Sequence, residues 1–477
     1  MRSILFIITL LAFLFSEAQD VFLEPRKAVS FEEAQRDLAS FYAALQAVHP
    51  SLYRYIDKNE LDQKFQNAIA SCKDSSDDQK IHLLVRQLIT SIGCGHTVAK
   101  PSKEWYAAMK GNKAILPFSV FTLNNRIFLN KSYDYDSTVY ERGTEILSIN
   151  GHTSFDMLEQ MRAIQQRDGL SSTFVEHSIK RTFQTYNLFL YGLPSEYVIE
   201  FKMNDSTQLV SFEAEKVKAQ RYDPTTDSST STTLIKGKAM KLSADSQLEG
   251  ALIMDINRFG TGGYKRFYRK AFKEIRKQQI SNLVIDLRRN GGGYFPNGAR
   301  LLRYLVDENV RINFSRAHAK KPKLDGLTMN FGSRITRDLF NLMPDRIPED
   351  TNRNYLLIKK PMKRNHFDGN VYVMIDGGSF SLSSYVASQL QKANRATFVG
   401  QETGGGKIGS NAVLVYSYTL PHSRIHVQIP YYFLDHEIAE PAYGRGVMPD
   451  YEVKYSLEDF MLEKDLESMQ IKKLMAK

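Results

Sequence analysis

From Leu248 onward the chain repeats one pattern: a short apolar run of strand length, a turn, then an amphipathic stretch of helical length. ALIMDI, NLVIDL, NVYVMID and ATFVG are the apolar runs, and the helical stretches include Tyr264 to Gln278 and LSSYVASQLQKA. Apolar strands separated by helices predict a largely parallel sheet covered on both faces, an α/β layer. VLVYSYTL and IHVQIPYYF add β structure near the end. In such sheets ligands gather at the carboxyl ends of the strands, so the loops there are the first place to look for chemistry.

Upstream the texture changes twice. FEEAQRDLASFYAALQAVH, LDQKFQNAIASC and DQKIHLLVRQLITSI carry apolar residues at three-and-four spacing, which predicts a small helical bundle. His49-Pro50 breaks the first helix, and Gly93 and Gly95 close the last. ILPFSVFTL, RIFLNKSY, TEILSING and YVIEFKM then read as short strands, with the helical piece SFDMLEQMRAI after the Asn150-Gly151 turn. The GTEILSING strand and turn followed by a short helix resembles a PDZ domain, with Leu116, Pro117 and Phe118 as its peptide-binding, carboxylate-holding loop. Gln220 to Ser246 is polar and rich in Ser, Thr and Asp. The expected organisation is an α/β multidomain chain: 1–18 signal peptide, 19–110 helical domain, 111–218 PDZ-like β-rich module, 219–247 linker or exposed loop, and 248–477 catalytic core.

Arg2, the apolar run from Ser3 to Phe15 and the small residues of Ser16-Glu17-Ala18 predict a cleaved export signal, with Gln19 as the mature terminus. The run is shorter than the roughly 20 residues a bilayer span needs. No cysteine follows it, and no later segment has the length and apolarity of a span, so the mature chain is expected to be secreted or periplasmic. Lys and Arg number 63 against 53 acidic residues, a net charge of +10. The excess lies in short clusters without interleaved aromatics, which argues against a nucleic-acid partner. Cys72 and Cys94 are the two cysteines. In an exported chain they suit one disulfide, but they make neither a disulfide scaffold nor a zinc quartet.

Two strand ends carry unusual residues. After NLVID comes Asp286-Leu-Arg-Arg-Asn290-Gly291-Gly292-Gly293, whose glycines bare backbone amides suited to an anion or an oxyanion. A tight turn with no chemistry is the plainer reading. After VYVMI comes Asp376-Gly-Gly-Ser379-Phe-Ser381-Leu-Ser383-Ser384. A serine at such a strand-to-helix turn is either an N-cap or a nucleophile beside the helix N-terminus. Three rivals fail: GQETGGGKIGS lacks Ser or Thr after Lys407, His436-Glu437 lacks a second histidine four residues on, and no GxGxxG dinucleotide turn is present.

In combination, DLRRNGGG, GGSFSLSSYVA and RATFVGQETGGG, in that order, resemble the core of the C-terminal processing (tail-specific, tricorn-core) family of serine peptidases. Upstream, Gly93-Cys-Gly95-His96-Thr97 resembles the family's GDGHT segment, and Gly446-Val-Met-Pro449-Asp450 matches a recurrent C-terminal element. The likeness runs from about residue 31 to 455. It implies a crotonase-like sheet-and-helix core that cleaves unfolded or C-terminally recognised polypeptides, bound through free C-termini. It implies Ser381 as nucleophile and His96 as general base. The oxyanion donors would be the amides of Leu382 and of Gly292 or a neighbouring glycine. A glutamate that orients the histidine falls on Glu440, with Glu437 as the fallback. Neither metal nor organic cofactor is implied. Cys94 stands where the family often has aspartate. Lys407 keeps a Ser-Lys dyad open as an alternative base, although the matching register falls on Gly406. A catalytically degenerate binder of peptides or apolar ligands on the same fold is the alternative function.

Overall fold

The computed structural model describes residues 27–73, 76–109, 115–203, 205–219, 231–316, 322–341, 354–439 and 443–476; the expected signal (Met1–Ala18) and Glu440 lie outside the described residues. These residues form two compact units. The larger comprises Lys27–Ser102, Met161–Arg181 and the chain from Asp223 onward.

Three helices open the larger unit. Helix α1 (Phe31–Val48) starts at Ser30 in a capping box with Glu33, and its Ala34, Leu38, Phe41, Leu45 and Val48 share one buried face. Asp57 caps helix α2 (Lys58–Ala70), and Asp77 caps helix α3 (Asp78–Ile92). Gly93 ends α3 in the left-handed conformation. The apolar faces of these helices do not close on one another as an independent bundle: they join one buried cluster with the sheet residues Leu252, Ile285 and Val373. The helices thus share the larger unit's core instead of forming a domain of their own, and the chain passes into the smaller unit between Ser102 and Lys103, close to the boundary expected near residue 110. Strand β1 (Val98–Lys100) completes the merger by pairing with His426–Gln428.

The smaller unit lies within Lys103–Gln160 and Thr182–Tyr222. Its sheet consists of β2 (Val120–Leu123), β3 (Arg126–Leu129), β4 (Glu145–Ile149), β5 (Tyr197–Met203) and β6 (Ser206–Phe212), in the order β6-β5-β4-β3-β2. All pairings are antiparallel. The Asn150-Gly151 turn forms as expected, with both residues at positive φ between Ile149 and His152. Phe118, Tyr133, Tyr140, Phe201 and Phe212 pack together as the aromatic core. Helix α4 (Ser154–Ile164) follows the hairpin. Helix α5 (Thr173–Tyr191) breaks from helical geometry at Thr182, where the larger unit's segment ends.

The larger unit's main sheet is the predicted parallel layer. Strands β7 (Ser231–Lys236), β8 (Met240–Asp245), β9 (Ala251–Ile256), β10 (Asn282–Asp286), β13 (Asn370–Ile375), β14 (Thr397–Gly400) and β17 (Tyr451–Glu452) lie side by side in that order. From β9 to β17 every pairing is parallel, and β7 and β8 are an antiparallel edge. The stretch 219–247, expected to be linker or exposed loop, thus contributes two strands. An edge strand keeps both faces largely in water, so β7 needs little apolar character, and β8 buries only Met240, Leu242 and Ser243. A second sheet contains β11 (Val310–Ser315), β12 (Asn354–Lys359), β15 (Gly409–Thr419) and β16 (His426–Asp435), in the order β12-β11-β16-β15. Helices α6 (Tyr264–Lys277), α7 (Phe295–Leu302) and α8 (Leu382–Lys392) cover the main sheet, and α8 is buried along most of its length. Among the described residues no helix is long and apolar enough to cross a membrane.

Candidate active site

Ser381 sits where strand β13 gives way to α8, and its backbone is bent to φ 57°, ψ −118°. An L-residue adopts such a conformation only when its surroundings impose it. Here they do: the amide of Phe380 donates to the carbonyl of Asn290 at 3.0 Å, and the Ser379 hydroxyl donates to the carbonyl of Leu287 at 2.8 Å. Asp376 accepts from the amides of Gly378 and Arg289 at 2.9 and 2.8 Å. The Ser381 hydroxyl makes no capping bond to its helix. Instead its Oγ lies 3.0 Å from Nε2 of His96, 285 positions away in the sequence. The structure thus does not show the capping bond, and it brings together the serine and histidine of the two motifs.

His96 follows the Gly93 turn at the end of α3 and is half-buried. Its ring stacks on Phe380 with centroids 4.7 Å apart, and Phe380 stacks in turn on Phe174 of α5 at 4.3 Å. Burial lowers the imidazole pKa, and the nearby Asp168 carboxylate opposes that shift. Asp168 is itself buried; the same desolvation raises its pKa, against the pull of His96 and of the Gly95 amide. Burial thus favours the neutral imidazole, the form that can accept a proton.

The two expected oxyanion donors fare differently. Leu382 opens α8, and its amide has no intrahelical acceptor. Gly292 lies against this turn: a Cβ there would stand 2.8 Å from both the Leu382 amide nitrogen and the Ser381 Cβ. However, its own N–H donates to Oδ1 of Asn290 at 2.9 Å, while Asn290 Nδ2 holds the carbonyl of Ile256. Among the described residues the amides of Gly291 and Gly293 have no protein acceptor, so a glycine neighbouring Gly292 is the freer candidate for a second donor.

The remaining candidates scatter. The Glu437 carboxylate accepts from Arg311 Nε at 2.8 Å. The Lys407 backbone is taken by the Arg445 carbonyl and by His436. At Gly406, the register of the lysine branch, even a Cβ would meet the Gly409 carbonyl oxygen at 2.7 Å. In the smaller unit, Leu116 and Phe118 are buried and their carbonyls accept from Gln184 Nε2 at 2.8 and 3.1 Å. Cys72 and Cys94 are both free, and burial pushes the Cys94 thiol up to about 11, so it is no thiolate nucleophile. The residues missed from the sequence are Asn290, Phe380, Phe174 and Asp168. The last two lie in the stretch read as part of the PDZ-like module, and that stretch belongs to the larger unit.

A serine in contact with a histidine at the mouth of a parallel sheet, beside bared amides, is the kind of arrangement that serine-histidine hydrolysis requires. Residues 251–453 match the model of Peptidase family S41. The C-terminal processing peptidase of the chloroplast of Tetradesmus obliquus is 26% identical over 136 residues, which are 28% of this chain and 22% of that protein. The fold is that of mature CPAF, with 94% of this chain and 97% of that one aligned at a TM-score of 0.62 and 14% identity. CPAF complexed with lactacystin aligns over 94% and 98% of the two chains at a TM-score of 0.63. The segment 251–453 is thus similar to peptidase family S41.

Proposed function

We propose that the chain is an exported serine endopeptidase that cuts polypeptides through an acyl-enzyme. Ser381 Oγ attacks the peptide carbonyl while His96 Nε2 takes the hydroxyl proton, which it later returns to the leaving amine. The Leu382 amide and a glycine amide of the 291–293 turn hold the oxyanion. Neither metal nor organic cofactor enters the scheme. The observation that carries the reading is the 3.0 Å contact between Oγ and Nε2, made by a serine whose hydroxyl caps nothing.

Substrates would be unfolded chains or exposed C-termini. Strand β2 is the last strand of the smaller unit's sheet, an edge to which an extended peptide can add. Because Leu116 and Phe118 bury their side chains in that unit's own core, capture of a carboxylate at the 116–118 loop would rest on its backbone amides. The Met1–Ala18 run supports export to the periplasm or the medium.

The test is labelling by a fluorophosphonate probe, together with cleavage of unfolded casein. Wild type is expected to react in both assays. Ser381→Ala and His96→Ala should each lower cleavage by about 10⁶-fold, since members of such a unit fail together. Wild type that neither labels nor cleaves, yet binds C-terminal peptides, would instead mark a degenerate binder on the same fold.

A further inference from the structure

A base that accepts the Ser381 proton at Nε2 must carry its own proton on Nδ1. In this structure His96 Nδ1 is buried and has no hydrogen-bond partner among the described residues. A buried donor rarely stays so. Asp168 holds the complementary atom. Its Oδ1 accepts from the amide of Gly95, the residue next to His96, at 2.7 Å. Its Oδ2 is buried and without a partner among the described residues. Asp168 is also the one charged group among them that acts on the imidazole.

The loop around Asp168 is fastened on three sides. The amide of Gly169 donates to the Gly93 carbonyl at 2.9 Å, the amide of Leu170 to the Gly444 carbonyl at 2.7 Å, and the Ser171 hydroxyl to the Thr403 carbonyl at 3.4 Å. These bonds carry the carboxylate to the histidine's turn and hold it there. Resting on the reading of Ser381 and His96 as nucleophile and base, we propose that Asp168 orients His96: its free Oδ2 takes the Nδ1–H and stabilises the imidazolium formed during acyl transfer. It is a positioning residue, supplied from the segment ahead of α5 rather than from a glutamate ahead of Gly446. In this scheme only the Ser381 proton moves, to Nε2 and then to the leaving amine.

Asp168→Asn is the informative variant, because an amide oxygen can keep the Gly95 bond while the –NH₂ faces the imidazole N–H. The comparison is wild type, Asp168→Asn and Glu440→Gln, with casein cleavage and probe labelling followed from about pH 4 to 9 and thermal unfolding measured for each. The inference expects Asp168→Asn to lose about 10²–10⁴-fold in kcat with little change in KM. Losing the carboxylate also removes the group that opposes burial of His96, so the acid limb of kcat/KM should move to lower pH, a shift a merely structural residue would not cause. Asp168→Asn as active as wild type, or the same loss in Glu440→Gln instead, overturns the inference alone. An inert wild type overturns the serine-base reading and this inference with it. Should Asp168→Asn fail to fold, ¹⁵N-histidine spectra of wild type, assigned with His96→Gln, decide the matter. A downfield, slowly exchanging Nδ1–H supports the inference, and a proton resting on Nε2 overturns it.

Discussion

The proposed nucleophile and its proposed base are held in opposite ways. Ser381 is fixed by backbone: amide–carbonyl bonds from Phe380 to Asn290, carboxylate caps from Asp376, and glycines that let chains approach within van der Waals contact. His96 is flanked by side chains: its ring stacks on Phe380, which stacks on Phe174, and the Asp168 carboxylate is near enough to act on its charge. A backbone scaffold defines position sharply but tolerates no added atoms. A side-chain scaffold can be trimmed by degrees, so changes around His96 should grade the activity where changes around Ser381 abolish it.

The sharpest break of that contrast is Gly293→Ala. Gly293 has φ +136°, and a Cβ there would stand 2.1 Å from the carbonyl oxygen of Phe259. That carbonyl is committed, since it accepts from the amide of Tyr294. Backbone strain and overpacking together are expected to cost about 3–5 kcal/mol of stability. Probe labelling should fall by at least about 10²-fold, as the second oxyanion donor is displaced. Denaturant unfolding and labelling rates check both; a variant of wild-type stability and rate would show the nucleophile side to be as yielding as the base side.

This difference in scaffolding also explains what could be read in advance. Strand, glycines, serine and helix follow one another within Val371–Lys392, so the turn that carries Ser381 is a local property and was legible as such. The alternation of apolar runs likewise displayed the parallel layer. His96 was legible only through its resemblance to GDGHT, because nothing local tells a histidine after a helix that a serine waits 285 residues on. Phe174 and Asp168 carried no signal. An aromatic at a helix start and an acid in a Gly-containing loop are ordinary until the chain folds Met161–Arg181 back into the larger unit. The polar strands β7 and β8 escaped notice for the converse reason: at an edge, burial imposes almost no pattern.

A graded effect is expected from Phe174→Leu. The substitution keeps apolar contact with Phe380 but removes the offset stack at 4.3 Å, a pairing worth about 0.5–1.5 kcal/mol beyond its buried area. With Phe380 free to shift, the His96 ring loses its flat support. The kcat for casein should fall by about tenfold with KM nearly unchanged, since the loss is in alignment rather than substrate binding. A rise in KM larger than the fall in kcat would mean that Phe174 touches substrate, and the contrast would need redrawing.

The smallest effect is expected at Lys407. A Ser-Lys mechanism needs an amine beside Ser381 Oγ, in an environment that strips its proton. In this chain the loop register that would supply it is Gly406, packed so closely against the Gly409 carbonyl that no side chain fits. Lys407 itself has its amide on the Arg445 carbonyl, and its own carbonyl accepts from Ser388 and lies 2.8 Å from Nδ1 of His436, so what the fold uses here is its backbone. Lys407→Ala keeps that backbone and should leave kcat/KM within about threefold of wild type, a change of well under 1 kcal/mol in transition-state stabilisation. A loss of 10²-fold or more, with His96→Ala still active, would move the proton acceptor from the side-chain-held histidine to the glycine loop. Both halves of the site would then be backbone-defined, and the division of labour between them would disappear.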